Sequence, residues 1–510
     1  MKTKYILRGF IAAIFAMATS SCEKNFLDVN TSPNNASTTT PELVLPSAVN
    51  FAGSQVNGSF NVLGNLLAGN WGQAPDFLFY IPQETYNLTP GTYDTQWTNF
   101  YANSLKNLQY VIDNANGKKN LIAIAKIMQA YDFQVLADAW GDIPFTDALK
   151  NTQVISPKYD AATTVYDGIL KLINDGIASI DVTSATALRP GAADIVFGSS
   201  ALVAEMDLWK RFANTLKLRV LIRQSLVASR ATQVTAGFNS LSGASFLETN
   251  AAGNPGYANQ SGQFSPIYTS IGFSLTGAQT SNYQATRGNK FAVDFLANTN
   301  DPRLPLLFRP VPNITTSNVY KGVIAGSTAA TGNRSNDLSP VGPSIIKTSA
   351  NGGYATPAYL ITASESFFLQ AEAQVRGYLP GGAAGAAINY QKGIEESFKL
   401  LGSTAAAGDT YITSGAANRL INFDLAVGTA QQAEAIVTQK WIALNGINGF
   451  EAWCEFRRTG YPTGNPLTLN QQSGGKFPVR LPYPQNEVNA NGANVPKIDI
   501  FNTRIFWDIN

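Results

Sequence analysis

The stretch from Leu121 to Leu149, LIAIAKIMQAYDFQVLADAWGDIPFTDAL, limits the fold more than any other part of the chain. Ile124, Met128, Tyr131 and Val135 recur at helical spacing, while Ile127, Ala130, Phe133 and Ala137 fill the adjoining face. Lys126, Gln129 and Asp132 interrupt this pattern too rarely for a surface helix, so the spacing predicts a helix buried on nearly all sides. Gly141 can take the left-handed C-terminal position and Pro144 forbids continuation, which stops the helix sharply. Such a helix needs other helices packed around it. The chain is therefore expected to build a large, mainly α body.

Composition removes several functions. With 510 residues the chain has room for a sizeable core. Only 14% of residues are charged, well below the usual quarter, so Asn, Thr, Ser, Gln and Gly supply much of the surface. Lys+Arg 36 against Asp+Glu 34, with no basic run, argues against nucleic acid, which needs a concentrated positive face. The chain has no histidine, which excludes histidine triads, histidine metal ligands and imidazole acid–base chemistry. Cys22 and Cys454 alone cannot form a cysteine metal cluster or a disulfide framework. Without a histidine to activate it, Cys454 reads as a buried structural thiol. Glu395 and Glu396 diverge by about 100° on a helix, unlike a glycosidase pair. No nucleophile elbow, phosphate-cradling loop or dinucleotide fingerprint is present. No catalytic residue, cofactor or metal site is expected, and the chain does not read as an enzyme.

The beginning of the chain reads as an export signal. Lys2, Lys4 and Arg8 precede an apolar run from Phe10 to Ala18, too short to span a bilayer core of about 30 Å. Thr19, Ser20 and Ser21 then lead to Cys22, as at a bacterial lipoprotein cleavage site, although Thr19 stands where an aliphatic residue is usual. Residues 1–21 are thus expected to be a signal peptide, Cys22 a lipidated (palmitate-bearing) residue, and 22–41 a tether. Several acyl chains on one cysteine suffice for stable anchoring. Asp28, Asn30 and Ser32 alternate as early calcium-loop ligands do, but Pro33 occupies the glycine position and no Glu closes the loop.

Beyond the tether, 42–510 reads as one domain. Its helical scaffold covers about 42–230 and 357–460, and a loop-rich region covers about 239–356. Helical patterning is seen at Glu42 to Phe51, Phe60 to Leu67, Trp97 to Ile112, Thr164 to Ile180 and about Ala204 to Val227. In the last of these, Lys210, Arg211, Lys217, Arg219 and Arg223 lie off the apolar stripe and are expected to form a solvated face. From Pro357 a helix–turn–helix with small residues at Ala371, Ala373, Ala386 and Ala387 resembles a tetratricopeptide unit with a lengthened turn. Between these helices, Trp71 to Pro90 and Asn239 to Tyr354 lack a helical period and carry many aromatics. Trp71, Phe79, Tyr80, Tyr257, Tyr268 and Tyr283 are the candidate ligand contacts, on loop context alone.

Several motifs in order resemble the SusD/RagB family of nutrient-binding outer-membrane lipoproteins. They are C-x-x-x-F-L-D-V-N from Cys22, the helix and W-G-D-x-P turn ending at Phe145, and W-x-x-x-A-N-x-L-x-x-R from Trp209. Asp301 to Leu304 (D-P-R-L), Leu369 to Ala373 (L-x-A-E-A) and the run Gln439 to Pro462 follow. R-x-x-Y-P-x-x-E-x-x-x-N closes the series from Arg480 to Asn491. Asn445-Gly446 departs from the usual Glu-Gly turn. The resemblance implies a SusD-like fold: a tetratricopeptide-like superhelix of helical hairpins with long irregular loops and minor short strands. It further implies capture of a glycan or peptide at the cell exterior for a SusC-like, TonB-dependent outer-membrane transporter. An oligo- or polysaccharide suits the low charge, because aromatic faces and amide side chains match sugar rings and hydroxyls. Capture of peptides and a helical scaffold that binds only protein are the competing expectations.

Overall fold

Helix formation follows the apolar periodicity closely in the computed structural model, which describes residues 39–150 and 153–510. The signal peptide, Cys22 and the Asp28, Asn30 and Ser32 alternation lie outside the described residues. The first half contains α1 (Pro41–Asn57), α2 (Ser59–Leu67), α3 (Lys106–Asn114), α4 (Lys119–Trp140), α5 (Ala162–Ser179) and α6 (Leu202–Arg223). Then come α7 (Ala231–Asn239), α8 (Lys290–Asn298), α9 (Ala363–Val375) and α10 (Gly382–Leu400). The last long helices are α11 (Ala405–Ser414), α12 (Gly428–Leu444) and α13 (Gly449–Thr459). A π-turn at Asn99–Leu105 leads into α3.

Only four short strands occur among the described residues: β1 (Trp71–Gln73), β2 (Ala251–Gly253), β3 (Thr286–Gly288) and β4 (Ala358–Ile361). They pair antiparallel as β1–β3 and β2–β4. Trp71 opposes Gly288, so the two aromatic-rich irregular stretches are stitched together by backbone hydrogen bonds.

α4 is buried along almost its whole length, as its sequence predicts, and α5 lies against it. It ends where Gly141 takes φ 80°. A Cβ there would come within 3.0 Å of the Arg480 guanidinium, so the glycine also makes room for the C-terminal motif. Trp140 Nε1 donates to the Pro482 carbonyl at 2.9 Å and the Tyr483 hydroxyl donates to the Asp142 carbonyl at 2.8 Å. The W-G-D turn and the R-x-x-Y-P segment are thus two halves of one lock. At the other close approach, a Cβ on Gly64 of α2 would overlap the Gly449 backbone at 2.0 Å. Asn61 and Asn65 use that proximity to bind Gly446 and Gly449 backbone groups.

The charged side of α6 departs from the sequence expectation. Lys217, Arg219 and Arg223 are buried rather than solvated; Lys210 is exposed and Arg211 partly so. Each arginine is matched by carboxylates from segments far away in sequence. Arg219 forms a two-pronged pair with Glu365 of α9 at 2.7 and 2.9 Å. Arg223 pairs with Glu451 of α13 and approaches Asp138 of α4 at 3.9 Å. Arg458 of α13 binds both oxygens of Glu372 at 2.8 and 2.7 Å and Glu455 at 2.6 Å. Lys440 of α12 completes the group, 2.9 Å from Glu455. Five long helices meet at this buried network. The D-P-R-L motif is a smaller version: Arg303 is fully buried, bound to Asp301, Gln439 and Ser397, with Phe398 and Tyr411 beneath its guanidinium.

Burial alone would raise the Glu372 carboxyl, but Arg458 and Arg376 hold it down at about 2, below its ordinary 4.5. The folded value is the lower one, so the stability Glu372 contributes is complete above pH 4.5 and is lost as the pH falls towards 2. Arg458→Met leaves Glu372 and Glu455 without their shared guanidinium in the interior. It is expected to cost about 3–5 kcal/mol in urea unfolding at neutral pH, with a smaller deficit at acid pH. A loss under about 1 kcal/mol, the range of a surface pair, would contradict this account.

Candidate functional site

An open cleft of about 630 Å³ lies between α1, the short helix Asp94–Thr98 and the segment 255–270, an irregular turn that runs into the short helix Pro266–Ile271. α1 buries Leu45, Ala48, Val49 and Ala52 and turns Asn50, Ser54 and Gln55 to the cleft, at i, i+4 and i+5 spacing. The opposite wall is irregular. Asn254 accepts hydrogen bonds from the Gly256 and Tyr257 amides, and the Ala258 amide donates to Gln263 at 2.9 Å. These bonds fix a turn that projects Tyr257, Gln263 and Phe264 into the space.

Polar side chains along the cleft pair with one another. The Tyr257 hydroxyl donates to Asn50 Oδ1 at 2.8 Å, and burial raises its pKa. Asn99 Nδ2 donates to Gln55 at 3.2 Å, and Gln96 Nε2 donates to the Ser59 hydroxyl at 3.1 Å. Ser59, Gln96 and Ser270 also line a second hollow of about 290 Å³ with Tyr80, Gln83, Tyr93 and Asn282. The two hollows therefore lie side by side across these shared residues, and together they are called the groove. No charged side chain lines either stretch. Amides and hydroxyls can exchange hydrogen bonds with hydroxyl groups, and the half-buried Tyr257 and Phe264 can support an apolar ring face.

The six aromatics chosen from sequence divide. Tyr257 and Tyr80 line the groove, although Tyr80 is mostly buried and shares a 2.9 Å hydrogen bond with the Thr286 hydroxyl. Trp71 has no exposed surface, and its indole N–H donates to Asn445 Oδ1 at 3.1 Å. The Asn445-Gly446 turn thereby acquires a purpose: its asparagine anchors this tryptophan. Tyr268 and Tyr283 are each 2% exposed. Tyr268 shares a hydrogen bond with Ser349 at 2.6 Å, and Tyr283 packs on Phe273 with ring centres 4.8 Å apart. Trp71, Tyr268 and Tyr283 thus present no ring face to solvent as they stand; they peg the irregular segments to the core. Phe79 is 47% exposed but stacks on Phe77 outside the groove.

Asn50, Gln55, Gln96, Asn99, Gln263 and Phe264 also line the groove, at positions that the sequence reading does not single out. Four of them sit on segments read only as scaffold. A signal existed: polar residues recur at 47, 50, 54 and 55 along a helix whose buried side carries Leu45, Ala48, Val49 and Ala52.

Cys454, the second candidate thiol, is fully buried, and burial pushes it up to about 12. It takes part in packing beside Arg457, whose Nη2 lies 3.1 Å from Sγ. Among the described residues, no helix is long and apolar enough to cross a membrane.

A helical-hairpin body thus carries an uncharged groove between a helical wall and an irregular one. The chain belongs to a SusD-like family described as starch-binding and associating with the outer membrane, which matches residues 33–484. The fold agrees with solved structures. One called a chitin-binding protein has TM-score 0.74 at 24% identity, over 92% of this chain and 100% of that one. A chitin-binding SusD homolog from Flavobacterium johnsoniae gives TM-score 0.72 at 22% identity, over 92% and 99%. A SusD homolog from Bacteroides fragilis gives 0.72 at 24%, over 92% and 99%. No curated protein matches the chain.

The division between pegs and groove is open to measurement. Trp71→Ala and Tyr268→Ala are expected to lower stability by about 3–5 kcal/mol, as for large aromatic truncations in a core. Tyr257→Ala, at a half-buried rim, is expected to cost less than about 1.5 kcal/mol, a lost hydrogen bond. Urea unfolding of the three variants checks the order.

Proposed function

We propose that the protein is a cell-surface lipoprotein that captures a neutral oligo- or polysaccharide in the groove. It then delivers that ligand to a SusC-like, TonB-dependent transporter of the outer membrane. The observation that carries this reading is the uncharged, amide- and hydroxyl-rich lining along the whole groove. A sugar ring has apolar C–H faces that suit Tyr257 and Phe264, and hydroxyls that suit Asn50, Gln55, Gln96 and Gln263. A peptide's termini and charged side chains would find no counter-charge there. The family description names starch, and two similar structures are called chitin-binding. Both polymers are uncharged glycans, which suits an uncharged groove. No carboxylate lines the groove to protonate or attack a glycosidic bond. Binding and hand-over, not cleavage, is the role proposed.

Titration calorimetry with malto- and chito-oligosaccharides tests the ligand class. One series is expected to bind, and Tyr257→Ala is expected to weaken it about tenfold while the melting temperature changes little. Binding of neither series, or full affinity in the variant, would overturn the assignment of the groove. Attachment rests on Cys22. Cys22→Ala in cells is expected to abolish incorporation of labelled palmitate and release the protein from the outer-membrane fraction; retention there would mean another anchor.

A further inference from the structure

Apart from the groove, a separate cavity of about 530 Å³ opens between α5, α6 and the loop 240–245. α6 brings Lys210, Asn214 and Lys217 to it at i, i+4 and i+7 spacing, with Arg211 alongside. Asn214 Nδ2 donates to the Ser245 carbonyl at 2.9 Å, which holds the loop over the helix. Lys217 is only 4% exposed. Its Nζ donates to Asn174 Oδ1 at 2.8 Å, using one of three ammonium donors.

Two features set Lys217 apart from its neighbours on α6. Arg219 and Arg223 each meet a buried glutamate, whereas Lys217 pairs with no carboxylate among the described residues. The carboxylates near the cavity are taken up by Arg211: Asp207 lies 2.7 Å and Glu248 3.9 Å from its guanidinium. Lys210, Arg211 and Lys217 against Asp207 leave three cations to one anion on the wall. A buried ammonium without a counter-charge is costly unless something supplies one. Burial accordingly pushes Lys217 below its ordinary 10.5.

We infer that this cavity is an oxyanion site, in which a sulfate, phosphate or carboxylate group is held by Lys217 with the more exposed Lys210 and Arg211. The anion arrives either free or as an acidic substituent on a sugar. In the second case the site would recognise acidic groups independently of the neutral groove. The negative charge of the bound anion favours the protonated form of the buried lysine, which takes its proton from solvent, so binding is coupled to protonation and weakens as pH rises through the lysine's range.

Calorimetry on the full chain with sodium sulfate and with N-acetylglucosamine 6-sulfate tests this. Sulfate is expected to bind and to weaken between about pH 7 and about pH 10, the latter near an unperturbed lysine. Lys217→Met is expected to lose about tenfold or more in affinity, the scale of a charged hydrogen bond, while neutral-glycan binding is unchanged. Lys210→Ala, at an exposed position that leaves the fold intact, is expected to show a smaller loss and serves if Lys217→Met does not fold. Tighter binding of the sulfated sugar than of sulfate identifies a glycan source; equal binding identifies a free anion. No sulfate binding at about ten millimolar, weaker than any affinity of about 1 mM, would overturn the proposal. So would unchanged affinity in both variants.

Discussion

Charge sequestered between helices fixes how this molecule is assembled. Arg219, Arg223, Lys440 and Arg458 share the interior with Asp138, Glu365, Glu372, Glu451 and Glu455, and none is more than 3% exposed. A charge taken from water is costly, and the cost is offset only when partners are close and the remaining donors are engaged. The five helices that contribute these groups come from both halves of the chain, with nearly 150 residues between Arg219 and Glu365. Correct pairing therefore fixes which helix lies beside which. A misassembled core of equal hydrophobicity would leave arginines unmatched. The apolar packing around α4 supplies most of the driving force, while the ion pairs select one arrangement.

Among the described residues, the motifs that suggested a family belong to this frame and line neither stretch of the groove. Trp140 and Tyr483 lock the end of α4 to the C-terminal segment. Arg303 ties the irregular middle to α10 and α12 through Ser397 and Gln439. The groove is made of other material: a polar stripe on α1, the start of the π-turn and a glycine-bearing loop. Such a division allows the ligand surface to be exchanged without disturbing the buried pairs.

Legibility in the sequence followed the physics of each signal. α4 and α5 were readable because apolar periodicity is local and strong, and α9 and α10 because small residues mark close helix contact. α11 was not foreseen: its run of Ala and Gly carries little amphipathic pattern. The buried face of α6 was misread because a lysine or arginine is ordinarily solvated, and its carboxylate partner lay on another helix. Among the aromatics, loop context did not separate a peg from a platform. Trp71 and Tyr257 occur in similar surroundings in the sequence, yet one is sealed against Asn445 and the other rims the groove.

By itself the sequence determined the α-rich class, the absence of histidine chemistry, and the family likeness. Each depends on composition or on residues near one another along the chain. Tertiary structure alone decided which charges are inside, which aromatic rings face solvent, and that Asn50 and Gln96 face the same cleft as Gln263. These are properties of contacts between distant segments. A side chain's solvation, and with it whether it packs or binds, is set by what the rest of the fold brings against it.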